Sequence, residues 1–150
     1  MTTASDRSIA TLLQVSTFGQ YFFPFGNIIF PIVIWSLKRK ESKFIDIIGK
    51  QAINFQLSLL LYFFILIIIE VPLIFFNVTE SINLSITDNC EWIAEKFTAG
   101  NITSLIVVIV IATLLFAAMK VLEFCLVIYA ATKNSNGETY NYPLTINFIK

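Results

Sequence analysis

No histidine occurs in the chain. The usual general base and the commonest metal ligand are therefore missing, and most hydrolase and zinc-site chemistries are excluded with them. Charge is scarce as well: 13% of residues are Asp, Glu, Lys or Arg, ten basic against ten acidic, for a formal net charge of zero. Without a field of one sign nothing draws a polyanion, and no nucleic-acid partner is expected. Cysteine is limited to Cys90 and Cys125. The first is expected in an external loop and the second deep in a helix, so they are not expected to pair. Cys125 reads as a small lipid-compatible residue, and Cys90 is assigned no role. The N-terminal stretch lacks the basic, apolar and small-residue pattern of a cleaved signal and is expected to be retained.

Apolar residues are what the chain has in excess. They make up 57% of its 150 residues, with 15% aromatic, more than a soluble domain of this size can hide. They are clustered: residues 51–69 form 19 positions and residues 102–119 form 18 positions without one charge, each long enough to cross a bilayer. The expectation is an all-α fold, a small polytopic transmembrane helical bundle with a broken first segment of two short arms and two long spans. It is expected to form a single membrane domain over residues 1–150.

The first apolar segment is interrupted by Pro24-Phe25-Gly26-Asn27, where proline removes a backbone donor and glycine permits unusual dihedrals. The arms, about 9–23 and 28–37, reach roughly 22 and 15 Å against a core of about 30 Å, so neither spans alone. Two arrangements fit: one kinked, tilted span, or a shallow hairpin turning at Pro24 to Asn27. Pro31 is a second weak point. Lys38, Arg39, Lys40 and Lys43 follow at once, which by the positive-inside rule makes the 38–50 region cytoplasmic. Residues 44–50 read as a short interfacial lead-in.

The second span, about 51–76, carries Gln51, Asn54, Ser58 and Tyr62 at steps of three and four, so they line one face. That face is expected to meet protein, as interhelical hydrogen-bonding residues, the sharper alternative being a substrate or ion path. Residues 77–101 read as an acidic external loop, with Trp92 and Phe97 as interfacial anchors. Three acceptor patterns for glycosylation, at Asn77, Asn83 and Asn101, read as ordinary polar positions in a bacterial protein. The last span, about 102–132, contains Lys120 and Glu123, three residues apart on one face. Ionisable residues at such depth pair, face a bundle interior or mark a pathway, and a structural ion pair is expected first. The cytoplasmic tail, 133–150, is too short to span and is expected to dock as an extended segment against the helices. Tyr140, Tyr142 and Phe148 are its expected interfacial anchors, and Tyr140, Tyr142 and Pro143 its motif.

Three stretches, PFGNIIFPIVIWSLKRKESKFID over 24–46, GKQAINFQLS over 49–58 and NGETYNYPLTINFIK over 136–150, resemble the Tic-twenty-like family. These are small bacterial multi-pass membrane proteins of unknown function, distant kin of a chloroplast inner-envelope import component. The family pattern carries histidines where this chain has Gln14 and Ile48, so no role resting on them carries over. The resemblance implies four helical segments with both termini inside, and thus the hairpin form of the first segment.

No catalytic residue, cofactor or metal site is read from the sequence. An intramembrane protease would need two carboxylates to meet, and Glu70 and Glu123 fall toward opposite ends of their helices. The function expected is that of an accessory or scaffold component of a bacterial cytoplasmic (inner) membrane. Its partners would be the lipid bilayer and another membrane protein or a second copy. The alternative is a subunit of a transport or protein-translocation channel, possibly homo-oligomeric. Gln51, Asn54, Ser58, Lys120 and Glu123 are the candidate functional polar residues.

Overall fold

The computed structural model describes residues 3–87 and 101–149. Helices α1 (Ala4–Val15), α2 (Gly26–Lys38), α3 (Lys43–Thr87) and α4 (Asn101–Ser135) follow one another, with a 3-10 helix, Ser16–Tyr21, between the first two. Among the described residues there is no strand. Helices α3 and α4 are, over Lys43–Phe76 and Ile106–Ser135, long and apolar enough to cross a membrane, each containing an 18-residue window whose mean hydropathy is 2.8 and 2.4 respectively.

Helix α1 starts earlier than the apolar pattern predicts because Thr3 and Asp6 form a capping box. The Thr3 hydroxyl accepts from Asp6 N at 3.1 Å and the Asp6 carboxylate accepts from Thr3 N at 3.0 Å, satisfying two donors of the first turn. The predicted break occurs at Pro24, but the left-handed conformation falls on Phe25, with φ 63°, and not on the neighbouring glycine. Gly26 is needed for a different reason: a Cβ there would lie 2.4 Å from the Gly19 carbonyl oxygen. The absent side chain lets the two backbones approach, and the 3-10 helix packs on α2.

The first segment is therefore a hairpin and not a kinked span. Ala10 and Leu13 of α1 form one buried cluster with Ile48 and Ala52 of α3, and Ile34 and Trp35 of α2 pack against it. This requires both arms to return to one end. The Asp6 carboxylate is held below the usual carboxylate range chiefly by its Thr3 partners, and Ser42, in the α2–α3 connection, acts in the same direction. The hairpin tip exposes Tyr21, Phe22, Phe23 and Phe25, with Phe22 91% exposed.

Helix α3 has 45 residues, roughly 68 Å of helix, more than twice a bilayer's hydrocarbon thickness. It differs from the predicted 51–76 span at both ends. The 44–50 lead-in is continuous helix, with Gly49 seated where a Cβ would be 2.1 Å from Trp35 Cδ1. At the other end the helix passes Pro72 and runs through Thr87, so the predicted 77–101 loop is helical in its first part. Polarity was the only loop signal there, and residues 77–87 contain neither proline nor glycine to end the helix. Residues 88–100, with Cys90, Trp92 and Phe97, and the side chains of the three glycosylation patterns lie outside the described residues.

The chain divides into two compact units, residues 1–61 with 120–150, and residues 62–119. The first holds two apolar clusters: Ala10, Leu13, Ile48 and Ala52, and then Phe55, Val127, Ala130 and Tyr142. The second consists of the remaining lengths of α3 and α4, with a Phe63–Phe116 ring contact at 5.7 Å and most of its large apolar side chains exposed.

Candidate functional site: a polar seam beneath the C-terminal tail

Gln51, Asn54 and Ser58 lie along one face of α3, as their spacing requires. What covers that face is the tail. After α4 the chain turns at Gly137, φ 82°, and the residues beyond it run without regular secondary structure. A primary amide offers a donor and a two-lone-pair acceptor, the same pair that a peptide unit presents. Asn54 uses both: its Oδ1 accepts from Phe148 N at 3.2 Å and Ile149 N at 2.9 Å, and its Nδ2 donates to Ile149 O at 3.0 Å. Ser58 Oγ accepts from Ile146 N at 2.8 Å while donating to Asn54 O at 2.7 Å. Gln51 donates to the side chain of Asn141. Tyr62, the fourth position of the predicted face, belongs to the other unit.

Tyr142 is not an interfacial anchor. It is 7% exposed, stacked on Phe55 at 4.1 Å between ring centroids, and its hydroxyl donates to Gln14 Oε1 at 2.6 Å. Burial pushes its phenol well above the usual range, so it remains a proton donor throughout the physiological range. Tyr140 packs edge-on against both Tyr129 and Tyr142, at 5.0 and 5.1 Å, while Phe148 is exposed. Pro143 and Leu144 form the turn that sends the tail back from Ser58 toward Asn54, and Leu144 takes a left-handed φ of 61°.

A second polar group joins α4 to the 3-10 helix. Lys120 Nζ lies 2.8 Å from Glu123 Oε2. Gln20 closes the ring, accepting from Lys120 at 2.8 Å and donating to Glu123 Oε1 at 3.0 Å. Glu123 is 3% exposed, and removing a carboxylate from water requires this kind of pairing and hydrogen bonding. Sequence reasoning found the ion pair and missed Gln20. It also missed Gln14 and the Asn27–Gln56 bond of 2.9 Å. The available signal was a glutamine or asparagine isolated in an apolar arm, which calls for a buried partner. Cys125 is exposed on α4. Among the described residues no three His, Cys, Asp or Glu side chains gather as a metal site.

Within this unit side-chain amides and one phenol tie α1 and α3 to the tail, and the Gln20 amide ties the 3-10 helix to α4.

Comparison with known proteins places the chain. The model of the magnetosome magnetite crystal formation protein family (MamF/MmsF) matches residues 5–149, and the chain belongs to that family. No curated protein and no solved structure matches it. The match overturns the resemblance to the Tic-twenty-like family, since the three stretches that carried it lie almost wholly within the region matched. Apolar helices are alike among membrane proteins and discriminate poorly between families. The import kinship falls with that resemblance, whereas the hairpin stands on its own contacts. Family and apolar helices together make this a membrane protein.

Proposed function

We propose that this member of the magnetosome magnetite crystal formation family is a non-catalytic accessory component of a bacterial membrane, acting on crystal formation through the shape it presents to other proteins. The supporting observation is the closed seam. Gln14, Gln51, Asn54 and Ser58, the polar side chains nearest to a site, hold the protein's own C-terminus in place. Groups committed in this way fix a surface and do not present reactive atoms. In this reading the basic 38–43 connection and the tail face the cytoplasm, as the positive-inside rule favours.

The test replaces the resident family member of a magnetite-forming bacterium with this protein and measures crystal size by electron microscopy. The intact chain should restore the size distribution, and Asn54→Leu with Tyr142→Ala should not, although still inserted in the membrane. Crystals indifferent to the intact chain would sink the proposal.

The second reading, a subunit of a transport or translocation channel, is favoured by one observation: the Lys120–Glu123 pair lies within an apolar span, with the Lys120 side chain 38% exposed. It requires flux across liposomes bearing the purified protein, lost in Lys120→Met with Glu123→Gln.

A further inference from the structure

The outward face of α1 carries a groove of about 640 Å³ whose lining includes Arg7, Ser8, Thr11, Leu12, Val15 and, from α4, Ser135. Its chemistry changes along its length. Arg7, Ser8 and Thr11 occupy the part nearer the start of α1, and Leu12 and Val15, 59% and 48% exposed, come after them. From Arg7 to Val15 the helix rises roughly 12 Å, about the distance from a phosphodiester to the upper acyl carbons. Ser135 is the last residue of α4, two positions past Lys133, so it lies on the polar side of the helix end, where a spanning helix meets the headgroups.

Arg7 is exposed, and none of the four ion pairs among the described residues includes it. Its acidic neighbour, Asp6, is turned to Thr3 N. The three hydroxyls already donate to helix carbonyls, Ser8 to Ala4 O at 3.1 Å, Thr11 to Arg7 O at 2.9 Å and Ser135 to Thr132 O at 2.7 Å. What they have left to offer is acceptor lone pairs. A groove with one cation, several acceptors and an apolar continuation does not suit free phosphate, which needs donors. It suits a phosphodiester whose headgroup carries its own hydroxyls and whose tails continue into the membrane.

We propose that this groove seats one anionic glycerophospholipid with a hydroxylated headgroup, phosphatidylglycerol being the simplest. Arg7 binds the phosphodiester, the Ser8, Thr11 and Ser135 oxygens accept from the headgroup hydroxyls, and Leu12 and Val15 contact an acyl chain. The site is separate from the tail seam, and it stands whether or not the accessory role does.

The test uses the full-length protein in nanodiscs, with bound lipid counted by native mass spectrometry after exchange into mixtures of phosphatidylglycerol and phosphatidylcholine. Phosphatidylglycerol should be retained preferentially. Arg7→Gln should reduce that preference about fivefold, the worth of one basic residue at an anionic surface, and Arg7→Lys should recover most of it. Lys40→Gln, in the basic α2–α3 connection, should leave it unchanged. A second variant, Ser8→Leu, keeps the charge and removes an acceptor, so it should erode the preference for phosphatidylglycerol over phosphatidic acid. Unchanged thermal unfolding in each variant separates loss of lipid from loss of fold. Equal retention by Arg7→Gln and the intact chain, an equal loss in Lys40→Gln, or displacement of the lipid by millimolar inorganic phosphate would each overturn the assignment.

Discussion

The unit formed by residues 1–61 with 120–150 and the unit of residues 62–119 are built from the same two long helices and hold their structure by different means. In the first, polar side chains are buried and bonded to each other across long stretches of sequence: Tyr142 to Gln14, Gln20 to Glu123, Asn54 to the tail. In the second, large apolar side chains point outward, Ile68 at 69% and Leu114 at 64% exposure. Water would penalise such a surface, but lipid does not, because hydrocarbon solvates an isoleucine as well as another isoleucine does. The lesson is that within a membrane apolar contact alone gives little specificity. Where one arrangement must be selected, this protein uses polar pairs, close backbone approaches and a folded-back terminus.

If that contrast is right, the largest loss should come from Tyr142→Ala, which removes a stacked ring and the partner of Gln14. About 3–5 kcal/mol of stability is expected to go, read as a lowered midpoint of thermal unfolding in mild detergent, with the C-terminus newly open to carboxypeptidase. Asn54→Leu should cost less, about 1–3 kcal/mol, since it leaves the backbone groups of Phe148 and Ile149 without their partner. Its marker is faster amide exchange confined to the last few residues of the tail. For the other unit, Ile68→Ala should lie near 0.3–0.6 kcal/mol, the insertion value of one apolar side chain. A loss as large as that from Asn54→Leu would break the comparison. The smallest effect is electrostatic. Asp6 titrates lower in the folded chain than in the unfolded one, so its contribution is fully present above the unfolded value of about 3.9 and disappears as pH falls through the folded value. Amide exchange in the first turn of α1 should accelerate below that range, and Asp6→Asn should remove the pH dependence.

Much of the candidate site was legible as separate parts. The spacing of Gln51, Asn54 and Ser58 marked one face of a helix, the alternating tail marked an extended segment, and Lys120 with Glu123 marked an ion pair. Each of these is local, readable within about two helical turns. What could not be read was which part meets which. Gln14 looked like an isolated glutamine because its partner is 128 positions away, and Gln20 was overlooked because the carboxylate that it binds is 103 positions away. The ends of α3 were misjudged for the complementary reason. Polar composition suggested a loop where no residue forbids helix. The family assignment from three motifs failed, while the membrane class drawn from composition did not.

The membrane character, the two long apolar helices and the break at Pro24 were determined by the sequence itself. Lipid compatibility and proline's missing donor act through each residue's own chemistry and its immediate neighbours. The choice of a hairpin over a kinked span was left to the tertiary structure, as was the closing of the α3 seam by the tail and of the Lys120–Glu123 pair by Gln20. Both forms of the first segment satisfy the same local preferences. They differ only in contacts made by folding back, the Gly19–Gly26 approach across the turn and the packing of α1 and α2 on one cluster with Ile48 and Ala52 of α3, which exist only once the chain has returned on itself.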